Sequence, residues 1–437
     1  MKRDLYAFSI LFPITLLLSA CRPDMQSTLE PEGFPEPTIS TLAATPDLPA
    51  VESIQLYTTQ NNLLGNHLIQ GSLDLPNAST TDIPLDGTPV WLTSAPFGDG
   101  ALFAVVLENG QTQAFAVTGQ THEPIEISPA QLPAGMPPLL AVLDGEAQLT
   151  APPQDASLLT NPLLVADRLV YIAANGDLVL SDSTSQNRLP VNALLDARLL
   201  LDERNRLLLL SGPTNRYKHG VLGDELEASG ITLIETAPEL RVIRNIPIEA
   251  PDVVEGISPI WADLDEDGQR EIVVTLSNNQ GGARIAVFRE DGSLLAESPP
   301  IGQGYRWRHQ VAVAQFQPDQ PPLIVSIRTP HIGGVVEFFQ LIAGRLEPVR
   351  ETGGFSAHSL GSRNLDSAVA GDFNNDGIAE LLAPEQSHTA LGIIAFDGTL
   401  ATTPLDGILT SNLSVTNNEG KIFIGAGTPG NLRIWSP

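Results

Sequence analysis

Two stretches of this 437-residue chain space their acidic side chains as a hard cation requires. The first holds Asp263, Asp265, Asp267, Gly268 and Glu271, and the second Asp372, Asn374, Asp376, Gly377 and Glu380. In this D-x-[DN]-x-D-G-x-x-E pattern, alternate oxygen-bearing side chains of a tight loop converge on one point. The glycine permits the sharp turn, the carbonyl of Gln269 or Ile378 is expected to point inward, and the glutamate closes the cage. Calcium takes about six to eight oxygens at roughly 2.3–2.6 Å, whereas magnesium keeps more water, so calcium is the expected ion. An EF-hand would need its bidentate glutamate at the twelfth position. Those positions hold Val274 and Ala383, inside strand-like apolar runs. The acid arrives at the ninth position instead, so the loops read as hairpins between strands. Asn374 lowers the ligand charge of the second. A cation here is expected to stiffen a hairpin, not to catalyse.

The elements that must carry these loops are strands. From residue 51 onward, short runs rich in Val, Ile, Leu and Phe are broken every eight to twelve residues or so by Gly, Asn, Asp or Pro clusters. Such runs include Ala101–Leu107, Leu164–Ala173, Glu271–Leu276, Leu323–Ile327 and Lys421–Ala426, with turns at Asn175-Gly176 and Asp397-Gly398. WADLDEDGQRE at 261–271 and AGDFNNDGIAE at 370–380 share one frame. Midway, Ala314 to Asp319 keeps the apolar frame without the acids. The period is therefore about 50–57 residues, enough for four strands, which points to the blades of a β-propeller. Earlier units can be drawn at 89–135, 136–190 and 191–250. Residues 51–88 and 406–437 would share a blade that closes the ring and removes its exposed edges. The fold class is all-β, with about seven four-stranded blades; six or eight also fit.

On these residues the chain resembles the integrin-α-like FG-GAP or VCBS repeat family, most clearly over 255–400. The resemblance implies that each acidic loop joins the first and second strands of a blade. Loops joining second to third strands, and those leading into first strands, then share the opposite face. That face gathers Arg306, Trp307, Arg308, His309, His331, His358 and Arg363, a basic and aromatic set in an acidic chain. Arginine forks and tryptophan faces suit carboxylates, sugars or a peptide. The same side chains could instead fill a channel mouth. The spacing of the histidines gives no support to a three-histidine metal site.

Charge and processing signals bound the setting. With 51 acidic against 23 basic residues and a net charge of −28, the chain lacks the footprint for nucleic acid. Hydrophobic residues make up 42% and charged ones 17%, so most of the chain should fold. Lys2 and Arg3, the apolar stretch from Leu5 to Leu17, and Leu18-Ser19-Ala20-Cys21 resemble a bacterial lipobox leader. Residues 1–20 would be removed and Cys21 lipidated, so that several acyl chains anchor the protein. Residues 21–50, rich in proline, read as an extended tether to a body at 51–437. The expected place is outside the cytoplasm, on the cell membrane or an outer membrane. There is no thiol beyond Cys21, no G-x-S-x-G elbow and no phosphate-cradling glycine loop. The expected function is a calcium-stabilised binding module for a protein or glycan, more a binder than an enzyme. A polysaccharide lyase or hydrolase and a structural subunit of an envelope complex are the alternatives.

Overall fold

The computed structural model describes residues 54 to 437 apart from Asn61 and Asp144; the leader, Cys21 and the proline-rich stretch lie outside the described residues. Among those described, the helical structure is one 3-10 turn, Leu75–Asn77, and the rest of the ordered backbone is strand. Antiparallel meanders of four consecutive strands occupy 89–124, 163–190, 200–247, 260–297, 308–353 and 369–404. Their inner strands are apolar on both faces. Gly100–Leu107 and Glu271–Ser277 are buried along their whole length, whereas the outermost Thr121–Pro124 is exposed throughout. A strand sandwiched between two sheets must bury both faces, so it loses the apolar–polar alternation of a half-exposed one. Thus Ile260, Val273 and Val287 pack on Val313, Ile324 and Phe339 of the next sheet.

The two ends of the body share a sheet. Ser79–Pro84 pairs antiparallel with Asn431–Ser436 and completes the meander that begins at Leu413–Asn418. Leu413–Asn418 runs alongside Pro89–Phe97 in the same direction. Ties at Asn412 to Leu92 (2.8 Å), Ser414 to Ser94 (2.8 Å) and Asn418 to Gly98 (2.9 Å) fix that register. First strands therefore start at one end of the body and finish in hairpins at the other.

The sequence expectations need three corrections. The run 164–173 is a hairpin, not one strand: Leu163–Val165 turns at Ala166 (φ 57°) into Arg168–Ile172. No glycine or proline marks that turn, so the apolar run looked continuous. The unit drawn at 136–190 holds two sheets, because Leu140–Leu143 and Glu146–Leu149 form their own with Gln55–Tyr57. Residues 51–88 accordingly do not all go to one sheet.

The segment from Thr59 to Ser72 has another task. Its backbone meets the first strands of four successive sheets. Leu201 N donates to Leu63 O (2.7 Å), Trp261 N to Leu64 O (2.9 Å) and Ala370 N to His67 O (2.7 Å). The Asn66 amide exchanges two bonds with the Val313 backbone, each 2.9 Å. Leu68–Ser72 then pairs parallel with Val369–Asp372. Gly65, at φ +70°, turns the chain where any Cβ would collide with the Pro259 carbonyl. Innermost strands carry a row of backbone groups with no further strand to pair with, and this segment satisfies them.

Asn66→Ala should therefore be costly for a polar-to-apolar change. It strands the Val313 N–H and C=O, each worth about 1–3 kcal/mol when buried without a partner. A urea unfolding series should show a lower midpoint, and an unchanged one would mean the segment is not structural.

Candidate functional site

The two acidic hairpins have one construction. Each joins a first to a second strand: Ile260–Ala262 to Glu271–Ser277, and Val369–Asp372 to Glu380–Pro384. Glu266 and Asn375 take left-handed φ of 59° and 61° at equivalent places, followed by Gly268 and Gly377 at 83° and 86°. Gly268 N and Gly377 N donate to Asp263 Oδ2 (3.0 Å) and Asp372 Oδ2 (2.9 Å). The closing carboxylates accept Leu264 N and Phe373 N, both at 2.9 Å. Gln269 N and Ile378 N donate to Asp267 and Asp376.

The loops differ in what fills their centres. Asp263, Asp265 and Asp267 bring one oxygen each within 4.8 Å of one another. Asp263 Oδ1 is buried and receives no hydrogen bond. Such an oxygen suits a cation. In the second loop the Asn374 amide donates to Asp376 Oδ2 and Glu380 Oε1, both at 2.9 Å. Burial, with Asp376 and Asp372 nearby, pushes the Glu380 carboxyl up to about 7, and burial with the three aspartates raises that of Glu271. Both loops thus concentrate negative charge, as oxygen cages do, with Arg289 3.5 Å from Asp265 at the edge of the first.

At the opposite end, the lead-in to Arg308–Ala314 and the loop after Leu323–Arg328 bring several of the expected residues together. Trp307 stacks on His309 (5.1 Å between centroids, 20°) and meets His358 edge-on at 5.2 Å. His331 Nε2 lies 3.2 Å from His358 Nδ1, and the other His358 nitrogen donates to Ser362 O at 2.6 Å. That bond leaves Nδ1 of His358 as the acceptor from His331. His309 and His358 are buried, at 4% and 1% exposed. Two arginines are drawn elsewhere. Arg308 points between sheets to a bidentate pair with Glu337 (2.8 and 3.1 Å), and Arg363 is held by Asp196 (2.8 Å) and Asp224 (2.5 Å). Arg308 is buried packing, not a ligand contact.

What remains open is a pocket of about 340 Å³ whose walls include Tyr305, Arg306, Trp307, His331, Ile332 and His219. His219 was not expected. It sits in the loop between Arg206–Thr214 and Glu227–Glu235, the same position in its sheet that His331 holds in another. His219 Nδ1 lies 2.5 Å from Glu255 Oε1, and Glu255 is wholly buried. The pairing of a loop with a distant lead-in could not be read without knowing the sheet boundaries.

No protein-family model matches the sequence, and no curated protein matches it. Among solved structures, the quinohemoprotein alcohol dehydrogenase from Comamonas testosteroni aligns over 87% of this chain and 80% of its own, with a TM-score of 0.53 and 11% identity. Quinohemoprotein alcohol dehydrogenase ADHIIG from Pseudomonas putida HK5 covers 86% and 79%, at 0.51 and 11%. Both neighbours are β-propellers. The fold is of the β-propeller type. At such identity the likeness concerns the fold alone.

The buried imidazoles make stability pH-dependent. Burial holds His358 down to about 3 and His309 well below the usual histidine range, where His67, His358 and His331 add to the effect. Unfolded histidines titrate near about 6.5. Below that value the unfolded chain binds more protons than the native one, so stability falls as pH drops toward 3. Carboxyls raised by burial, such as Glu380, act in the opposite direction, so the histidine share is read by difference: from about pH 7 to about pH 5 the wild type should lose more urea midpoint, or gain less, than His358→Gln.

Proposed function

We propose that this chain is an exported, lipid-anchored β-propeller that binds a glycan or protein at the pocket opposite its acidic hairpins. The observation that carries this reading is the pocket itself. It is open and aromatic-walled, with Tyr305 48% and Ile332 82% exposed. Exposed aromatic and apolar groups beside a guanidinium are what a sugar ring or a peptide side chain meets. The four-stranded meanders, with the shorter sheet around 140–149, read as eight blades. The paired hairpins support the FG-GAP or VCBS resemblance.

Calcium fits the first hairpin through Asp263, Asp265, Asp267 and Glu271, and fits the second less well because an amide takes part of the cage. The anchor at Cys21 completes the picture. Gln55–Tyr57 starts beside the hairpin at 143–146 and climbs to Thr59 and Gln60, which reach Asp366 and Ser258 at the pocket end. Gln55 thus lies at the hairpin end of the body and Thr59 and Gln60 at the pocket end.

Two measurements test this reading. Thermal unfolding with and without chelator should differ, since an ion at about 100 times its Kd adds about 2.7 kcal/mol to the native state. Asp263→Asn should remove most of that difference, and equal midpoints would rule out bound calcium. On an array of glycans and envelope proteins, Tyr305→Ala should weaken the wild-type hit by up to about tenfold with unfolding unchanged. A catalytic role is a second reading, favoured by the His219–Glu255 pair.

A further inference from the structure

We propose that the pocket is a proton-transfer site in which His219, oriented by Glu255, is the base for β-elimination from a uronate-containing polysaccharide. The proposal rests on the glycan-binding reading of the pocket. Glu255 accepts the Nδ1–H of His219 on one oxygen and the Ser277 hydroxyl on the other. That arrangement fixes the tautomer and leaves Nε2 with a free lone pair on a ring that lines the pocket. A carboxylate behind an imidazole also stabilises the imidazolium that forms when a proton is taken.

The surroundings hold this pair in its working state. Tyr305 lies over His219 at 5.4 Å and 32°, and over the buried Tyr217 at 5.2 Å, so the imidazole is held within an aromatic stack. A second buried carboxyl, Glu227, is pushed well above the usual range by burial and then by the charge of Glu255. Burial raises the Glu255 carboxyl too, and the hydrogen bond from His219 is the largest effect opposing that rise. Arg328 is committed to Glu337 (2.8 Å) and Glu351 (3.1 Å), while Arg306 lines the pocket with one backbone contact, to Ile301 O. Arg306 is therefore the cation placed to meet a substrate carboxylate.

The lining also separates reaction classes. Hydrolysis of a glycoside calls for two carboxyl groups flanking the scissile bond. Among the described residues, no carboxylate, serine or cysteine lines this pocket. Elimination needs only a base and a group to neutralise the acid function. His219 Nε2 takes the proton on the carbon bearing the carboxylate, and the C–H electron pair becomes the new double bond. The neighbouring C–O bond breaks with its pair going to oxygen. That oxygen takes the proton back from His219, which resets the base. The products are an unsaturated uronate end and a free hydroxyl end.

The test uses the full-length chain in detergent with polygalacturonate, alginate and hyaluronate. Binding is followed by calorimetry and products by ultraviolet absorbance and reducing-end assay. The expected result is binding with unsaturated ends. His219→Ala should lower turnover at least about 100-fold while the binding constant changes less than about threefold. Glu255→Gln should shift the acidic, rising limb of the rate–pH profile to lower pH, since an imidazole without its carboxylate is the weaker base; a merely structural role would leave that limb in place. Binding without unsaturated ends overturns the proposal and leaves the binding reading standing. New reducing ends without unsaturation assign hydrolysis instead. No binding to any of the three overturns the glycan reading beneath it.

Discussion

The structure depends on how the inner edges of its sheets are satisfied. A four-stranded sheet facing a central axis ends in a strand whose outward N–H and C=O groups have no neighbour. Here the segment from Thr59 to Ser72 supplies the partners, through Leu63, Leu64, Asn66 and His67, to four successive sheets. One short stretch of chain therefore ties together sheets far apart in sequence. It explains why Asn66 carries a side-chain amide: donor and acceptor on one group match the N–H and C=O of a single residue, Val313.

The same segment creates the polar axis from which the pocket end is built. Thr59 donates to the buried Asp366 at 2.5 Å, His67 lies 3.4 Å from that carboxylate, and buried Arg198 lies 3.7 Å from it. Arg198 also sits over the Trp91 ring at 5.6 Å. A charge so enclosed tolerates few neighbours, and the surrounding histidines stay neutral because desolvation outweighs what the single carboxylate offers. His309 and His358 are thereby packing groups with polar edges. The polar set that looked like a ligand surface is thus divided: His309, His358 and Arg308 hold sheets together, while Arg306, Trp307 and His331 line the opening, where Tyr305 and His219 join them.

This division marks how far the sequence can be read. The acidic hairpins were legible because their geometry is local: alternate oxygens, a glycine at positive φ and an acid entering the next strand lie within nine residues or so. The all-β class was legible from apolar runs and turn residues. Arg308 points to Glu337, away from the stacked Trp307 and His309, because successive side chains of an extended backbone face opposite sides. The hairpin at Ala166 was hidden because its left-handed residue is neither glycine nor asparagine. The His219–Glu255 pair was hidden for another reason. It joins a second-to-third loop of one sheet with the lead-in to the next, so its two members belong to different repeats. No spacing within a repeat encodes it.

That origin bears on what the fold can do. Contacts inside a repeat, such as the acidic hairpins, recur wherever the repeat does and are suited to scaffolding. Contacts between repeats arise once, where one loop is long enough to reach a neighbour. The loop from Thr214 to Glu227 is such a case: it carries Tyr217 into the core and His219 to Glu255, and it packs both against Tyr305. A singular contact in a repetitive frame breaks the symmetry of one face at one place. The pocket lies there, where that loop meets the lead-in and the second-to-third loop of the sheet that begins at Arg308, and the aromatic, imidazole and guanidinium groups meet only because these three segments converge.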